Sequence, residues 1–395
     1  MSTEYDVIIA GVGAMGSAAA CHLARRGVCV LGLDRFSPPH DRGSSHGQTR
    51  IIREAYFEHP VYVPMVQRAY QLWRELEQAA GTPLLLETGG LMIGLPDSVV
   101  VTGAQHSAKL HGLRHELLTA HQVNERFPAL RLENDMVAVW EPRAGVLFPE
   151  RCIAAHLAQA RAAGASFRFD DPVVSWEPEA DGVRVVTATA EYSARQIILS
   201  AGAWAGSLLP QLEAPLQVER QVQFWFEPDT DPAAFSPERC PVHLWQFDDP
   251  DNQKFFYGFP QLGDGVKVAF HHDGQQTDAE NVRRDVTPAE IEAMRAVVRR
   301  FLPGADGVLR ATAVCLYANT PDEHFWIDRH PRCPQVLIAS PCSGHGFKFS
   351  AAIGEILADM AQGKAPRFDL GLFRTRPGAR PPSGALEGFS STPET

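Results

Sequence analysis

No apolar run in this 395-residue chain approaches the ~18 residues that carry a helix across a bilayer. The opening MSTEYDVIIAG has neither a basic n-region nor a long apolar h-region, so no signal peptide is expected. Cysteine is sparse and unpatterned. The seven residues (Cys21, Cys29, Cys152, Cys240, Cys315, Cys333, Cys342) show no C-x-x-C or other metal-ligand spacing, and an odd set suits a reducing compartment better than a disulfide framework. Positive charge is in deficit, with 36 Lys and Arg against 47 Asp and Glu. The formal net charge of −11 argues against nucleic acid or an anionic membrane as a partner. Internal repeats and low-complexity core segments are missing as well. These absences leave the expectation of a soluble cytoplasmic protein without a metal site.

Apolar residues make up 45% and charged residues 21%, an ordinary globular balance, and the length suffices for two domains or one elaborated α/β domain. Val7 to Ala10 is a short β-branched run leading into Gly11-Val12-Gly13-Ala14-Met15-Gly16 and a helical pattern through Arg26. A second apolar run, Val28 to Leu33, is closed by Asp34. In this strand, G-x-G-x-x-G, helix, strand, acid order, Gly11 permits the tight turn and Gly13 lets a pyrophosphate reach the backbone. Gly16 lets helix and strand pack closely. Asp34, 23 residues after Gly11, is placed to take ribose hydroxyls. The pattern predicts a Rossmann-like dinucleotide site and by itself does not separate FAD from NAD.

Farther along, Gly43 to Arg53 (GSSHGQTRIIR) offers small residues that let the chain pass close to a ring system. Arg50 and Arg53, three apart, would share one side of a helical turn or form a solvated basic turn. Val66, Tyr70, Trp73 and Leu76 mark an amphipathic helix ending near Gly81, with its aromatics in the core. Phe255 to Pro260 and Gly265 to His271 predict a hairpin. Its Lys267 either snorkels from an edge or stands against a ligand as a fixed positive charge. Thr287-Pro288-Ala289-Glu290 is a capping box with proline at the first helical position. From Ala311 to Ser350 come Cys315, close to Tyr317, a buried-looking strand at Val336 to Ala339, and Gly344-His345-Gly346-Phe347-Lys348 opening a helix. Backbone N–H groups in such a turn approach an anion or an electron-rich ring closely. The chain reads as an α/β protein of interleaved segments. Residues 1–85, 148–215 and 315–373 form the Rossmann-like dinucleotide domain, and 86–147 and 216–314 an α+β substrate domain with a mixed or antiparallel sheet. Residues 374–395 form a flexible tail rich in Pro, Gly and Ser.

Taken in order, GVGAMG, SHGQTRIIR with AY following, YGFP with VKVAFH, CLY with ANTPDEHFWID, and SGHGFKFS resemble the monomeric sarcosine oxidase family of flavin amine oxidases. That family includes N-methyltryptophan oxidase and pipecolate oxidase, and the resemblance spans nearly the whole chain up to the proline-rich tail. It implies FAD attached covalently through its 8α-methyl group to the sulfur of Cys315, where a thiolate is a competent nucleophile. It implies that Arg53 and Lys348 clamp the carboxylate of a small amino-acid substrate, the arginine able to pair bidentately and the lysine adding a point charge. Tyr257, His271 and Tyr317 match positions lining that pocket. Lys267 matches the family lysine beside the flavin, where a fixed cation stabilises the charge developing on O2. Thr49 and Arg50 match positions close to the ring face. Gly344, Gly346, Phe347 and Lys348 would adjoin the flavin, with the positive end of their helix favouring an anionic reduced ring. His46 and Val173 are further expected cofactor contacts.

The implied activity is oxidation of a secondary amino acid, with an N-methyl amino acid such as sarcosine leading. O2 and water are consumed, and the primary amino acid, formaldehyde and H2O2 are released by a monomeric enzyme. Two departures from the family pattern, Ser340-Pro341-Cys342 before SGHGF and His243-Leu244-Trp245 at the substrate cap, leave a larger N-methyl amino acid or a cyclic imino acid open. Other readings are an FAD dehydrogenase using another acceptor, and an NAD dehydrogenase, which leaves Cys315 and SGHGFKF unexplained. A flavin-fold binding subunit without turnover is opposed by the joint presence of Arg53, Lys267 and Lys348.

Overall fold

The strands that open the chain are buried on both faces rather than alternating, which is the mark of a parallel sheet covered on each side. In the computed structural model, which describes residues 4–209, 216–249 and 252–374, Tyr5–Ala10 pairs in parallel with Val30–Leu33 on one side and Glu191–Leu199 on the other. Ser166–Arg168 extends the edge beyond Val30–Leu33. Glu191–Leu199 is shared along its far side: residues 191–194 pair antiparallel with Gly182–Thr187, and residues 197–199 pair parallel with Cys333–Ser340. The expected tail lies outside the described residues, Arg374 apart.

The G-x-G-x-x-G segment forms the turn between Tyr5–Ala10 and helix Ala14–Arg25. Gly11 has φ +92, and a Cβ there would fall 2.5 Å from Ser200 O, while one at Gly16 would fall 1.9 Å from Gly11 O. Any side chain at either place would push strand and helix apart. The same helix meets Ser350–Ala361, where Gly354 and Ala18 allow the two backbones to approach.

A second sheet runs in the order Leu309–Asn319, Gln217–Phe226, Val266–His271, Asn252–Gln261, Val242–Asp249, Gly90–Gly94, Val137–Glu141 and Glu116–Thr119. Its pairings are antiparallel except between Gly90–Gly94 and Val242–Asp249. The expected hairpin is therefore present. Helix Pro288–Phe301 starts at the expected capping box and covers this sheet, with the Phe301 ring 4.8 Å from that of Trp245. The aromatic helix extends over Tyr62–Ala80 and ends at Gly81 in the left-handed conformation, with Tyr70 and Trp73 in the core.

Three expectations change. Arg50–Ile52 is not a helical turn but a strand, paired antiparallel with Gly145–Leu147, which also pairs with Leu85–Glu87. Neither arginine is solvated: Arg53 is buried and Arg50 half-buried. The segment boundary at 314/315 falls inside Leu309–Asn319, which stays paired with Gln217–Phe226 along its length, because no turn residue interrupts that strand. Residues 344–349 remain a turn ending in a single 3₁₀ turn, and the α-helix begins only at Ser350.

Candidate active site

One large cavity lies at the carboxyl ends of the first sheet's parallel strands, the usual ligand position in open α/β sheets. Ala10, Leu33, Ser200 and Ala339 supply its rim on that side, and Gln223, Leu244, Tyr257, Phe259, His271 and Tyr317 of the second sheet wall the other. Gly11, Gly13, Asp34 and Val173 all line it, whereas Gly16 is turned into the packing below. The buried Asp34 carboxylate accepts from Val12 N at 2.6 Å, which ties it to the motif, and from Phe36 N at 2.9 Å, which closes its own turn.

Arg50, Arg53 and Lys348 line this cavity together, although 295 residues separate Arg53 from Lys348 in the chain (348 minus 53). Arg53 grips both oxygens of Glu58, at 2.6 and 2.7 Å, donates to Ala55 O at 3.2 Å, and lies over the Tyr56 ring. Burial works against the Glu58 carboxylate, but Arg53 with His345 and Lys348 holds its pKa below the ordinary value. Lys348 Nζ donates to His345 O at 2.7 Å, and Trp73 Nε1 pins the Lys348 carbonyl at 2.9 Å. Burial and then Arg53 bring the Lys348 ammonium down to about 7. Around the same space His271 Nδ1 and Tyr317 OH are 3.1 Å apart. Burial and then His272 push His271 well below its ordinary value, and burial raises Tyr257 to about 12. Gly344 has φ +74, and a Cβ there would fall 2.6 Å from Tyr317 Cε2, so glycine lets both rings close on the turn. Gly346 and Phe347 complete this wall.

Lys267 and Cys315 are almost wholly buried and stand behind the lining residues. Lys267 Nζ donates to Gly47 O at 2.6 Å and Thr49 O at 3.0 Å, so it does not snorkel; burial and then Arg50 hold its pKa far below the usual lysine value. Cys315 Sγ has Arg50 Nη2 at 3.5 Å and donates to Ser44 O at 3.4 Å. A second thiol, Cys342, is on the cavity wall itself, and burial lifts it to about 12. His46, also buried, is brought down to about 4 by burial and Arg50.

The model of the FAD dependent oxidoreductase family matches residues 6–360. Monomeric sarcosine oxidase of Streptomyces avermitilis is 45% identical over 380 residues, 95% of this chain and 98% of that protein. The chain belongs to the monomeric sarcosine oxidase and N-methyltryptophan oxidase family of FAD-dependent oxidoreductases. N-methyl-L-tryptophan oxidase of Citrobacter koseri is 37% identical over 374 residues, covering 94% and 98% of the two chains. Among solved structures, the open form of NikD, an unusual amino acid oxidase essential for nikkomycin biosynthesis, superposes with a TM-score of 0.83 at 25% identity in its Tyr258Phe mutant. It covers 98% of this chain and 99% of its own. Glycine oxidase from Geobacillus kaustophilus shares the fold at a TM-score of 0.79 and 19% identity, covering 96% and 100% of the two chains.

The family's cofactor fits the residues present. A Cβ on Gly13 would meet nothing within 4 Å, leaving the open approach that a pyrophosphate needs. Ser44 Oγ, Gln223 Oε1 and Trp204 Nε1 belong to wall residues and are buried without a hydrogen-bond partner among the described residues. Thr49 Oγ1 and His46 Nε2, just behind the wall, are in the same condition. Buried polar atoms left unsatisfied at a cavity are what a polar-edged ring system would satisfy. Among the described residues no group of His, Cys, Asp and Glu is arranged to hold a metal ion, and no helix is long and apolar enough to cross a membrane.

Sequence reasoning missed Glu58, Gln223 and Tyr56. Glu58 had a usable signal, an acid five residues after Arg53. The Tyr56 OH to His345 Nδ1 contact, 2.6 Å across 289 residues, had none.

Proposed function

We propose that the protein is a flavin-dependent oxidase of N-methyl amino acids, with sarcosine as the reference substrate and a monomer as the working unit. The observation that carries this reading is the cation set Arg50, Arg53 and Lys348 in the cavity that the dinucleotide motif also lines, offset only in part by Glu58. Such a set recognises a carboxylate, and the relatives are named for N-methyl amino acids. Bound FAD would accept two electrons from the substrate CH–NH unit, which loses two protons as well, and pass them to O2. Arg53 and Lys348 orient the substrate by its carboxylate, a fixed pose that does much of the work when no protein group attacks the substrate. Tyr257, His271 and Tyr317 shape the amine end, and Ile51, Leu244 and Phe259 keep the cavity apolar elsewhere. The surrounding cations favour loss of the ammonium proton, leaving the amine lone pair free. Oxidation yields an imine that water hydrolyses, so sarcosine, O2 and water become glycine, formaldehyde and H2O2.

Lys267 is assigned to O2 reduction, with Thr49 and Arg50 beside the ring. Its two carbonyl contacts fix where Nζ stands, so the cation is preorganised there once the amine, whose pKa burial and Arg50 depress, takes up a proton. Cys315 is assigned as the tether through a thioether to the 8α carbon. The family resemblance selects it over Cys342, and Arg50 Nη2 stands 3.5 Å from the Cys315 sulfur.

The two half-reactions test the reading. Anaerobic bleaching of the bound flavin should occur with N-methyl amino acids and quicken as pH rises, whereas Lys267→Met should slow re-oxidation in air far more than bleaching. Failure of every N-methyl amino acid to bleach the flavin would remove the proposed substrate class. Equal losses in both half-reactions would remove the role of Lys267.

A further inference from the structure

Glu141 ends strand Val137–Glu141 and is 1% exposed, a rare place for a carboxylate. It faces backbone. Glu54 N donates to Oε1 at 2.6 Å and Ala55 N to Oε2 at 2.8 Å. The location follows from the small sheet. Arg50, Ile51 and Ile52 pair with Leu147, Val146 and Gly145, and beyond Ile52 the partner strand gives way to a turn. There the two oxygens of one side chain receive the N–H groups of Glu54 and Ala55.

The most direct link to the cavity is Ala55. Ala55 gives its N–H to Glu141, and its carbonyl takes the hydrogen bond from Arg53 Nη1. Holding Ala55 thus steadies the guanidinium beside its grip on Glu58. Neighbouring groups brace the arrangement: Arg143 Nη1 binds Glu54 Oε1 at 2.9 Å, and Tyr70 OH donates to Arg143 O at 2.7 Å. We infer that Glu141 is a positioning residue for the substrate, setting the Arg53 guanidinium through the Glu54 and Ala55 backbone so that it meets a carboxylate in the cavity. This rests on the assignment of Arg53 to the carboxylate in the proposed function. Burial raises the Glu141 pKa to about 7 against the lowering by the Ala55 and Glu54 N–H groups, a desolvation cost that a purely apolar filler would avoid.

Glutamine at 141 keeps the shape but offers one carbonyl oxygen and turns an NH2 towards the second donor. The inference is tested with E141Q, E141D and R53M in holoenzyme, by KM and kcat for sarcosine and by competitive inhibition with acetate. E141Q should raise KM and the acetate inhibition constant about tenfold or more with kcat within about threefold, and E141D should recover part of the loss. In E141Q/R53M the penalty should be no larger than in R53M alone, since both act on one group. Additive penalties, or an E141Q whose kcat falls while KM and acetate inhibition hold, would reduce Glu141 to a structural residue and overturn the inference. An unchanged KM and acetate inhibition in R53M would overturn the carboxylate assignment instead, so the two failures are distinct. If E141Q does not fold, E141D decides: it should weaken acetate binding, and native acetate binding would overturn the inference.

Discussion

Lys348 carries its ammonium into the cavity wall, where burial and Arg53 bring its pKa to about 7. Below that value the group is charged and attracts a carboxylate; above it the free enzyme loses the charge, and binding must first supply a proton. Acetate has a carboxylate and no amine, so it separates this ionisation from that of the substrate. Its competitive inhibition constant should rise as pH passes through about 7 and beyond, whereas in Lys348→Met inhibition should be weaker throughout and lose that rise. A wild-type constant independent of pH would dissociate Lys348 from the carboxylate. At this scale the chain discloses residue types and conceals pairings. Arg53 and Lys348 could be singled out from their motifs, but the carboxylate already gripping Arg53, and the carbonyl of Ala55 that steadies it, exist only once the backbone turns back at residues 53–58.

Among elements, helix Pro288–Phe301 shows how local chemistry can be sufficient. Thr287 Oγ1 receives Glu290 N at 3.3 Å, and the Glu290 carboxylate receives Thr287 N at 2.8 Å. Thr287→Ala removes the acceptor and should cost about 1 kcal/mol in urea denaturation, while kcat/KM stays at the wild-type level because no cavity residue comes from this helix. A loss of activity matching the loss of stability would show that the helix supports the site more directly. This element was legible in four residues, as was the aromatic helix closing at Gly81. Arg50–Ile52 was not. Three residues have too little pattern to declare a strand, and the partner that makes them one, Gly145–Leu147, enters 95 residues later (145 minus 50). For the same reason the boundary drawn at 315 cut a strand: no turn signal marks where one sheet's business ends within a continuous ladder.

Across the whole molecule, the dinucleotide turn belongs to the first sheet, and Cys315 to the strand Leu309–Asn319 of the second. In the proposed function the two sheets hold opposite ends of one cofactor, and a ligand bound by both contributes to the stability of both. For a freely dissociating cofactor that contribution depends on its concentration, and the melting temperature falls on dilution. The proposed Cys315 tether changes the order of the equilibrium. The cofactor then travels with the chain, at an effective concentration set by the attachment rather than by the solution. Holoenzyme diluted a hundredfold should melt at an unchanged temperature, while Cys315→Ala loaded with FAD should melt lower on dilution and recover when FAD is added. A dilution-sensitive wild type would rule out the tether. With the tether in place, cofactor retention becomes a first-order property of each molecule, as indifferent to the surrounding supply of flavin as a side chain is to the supply of amino acids.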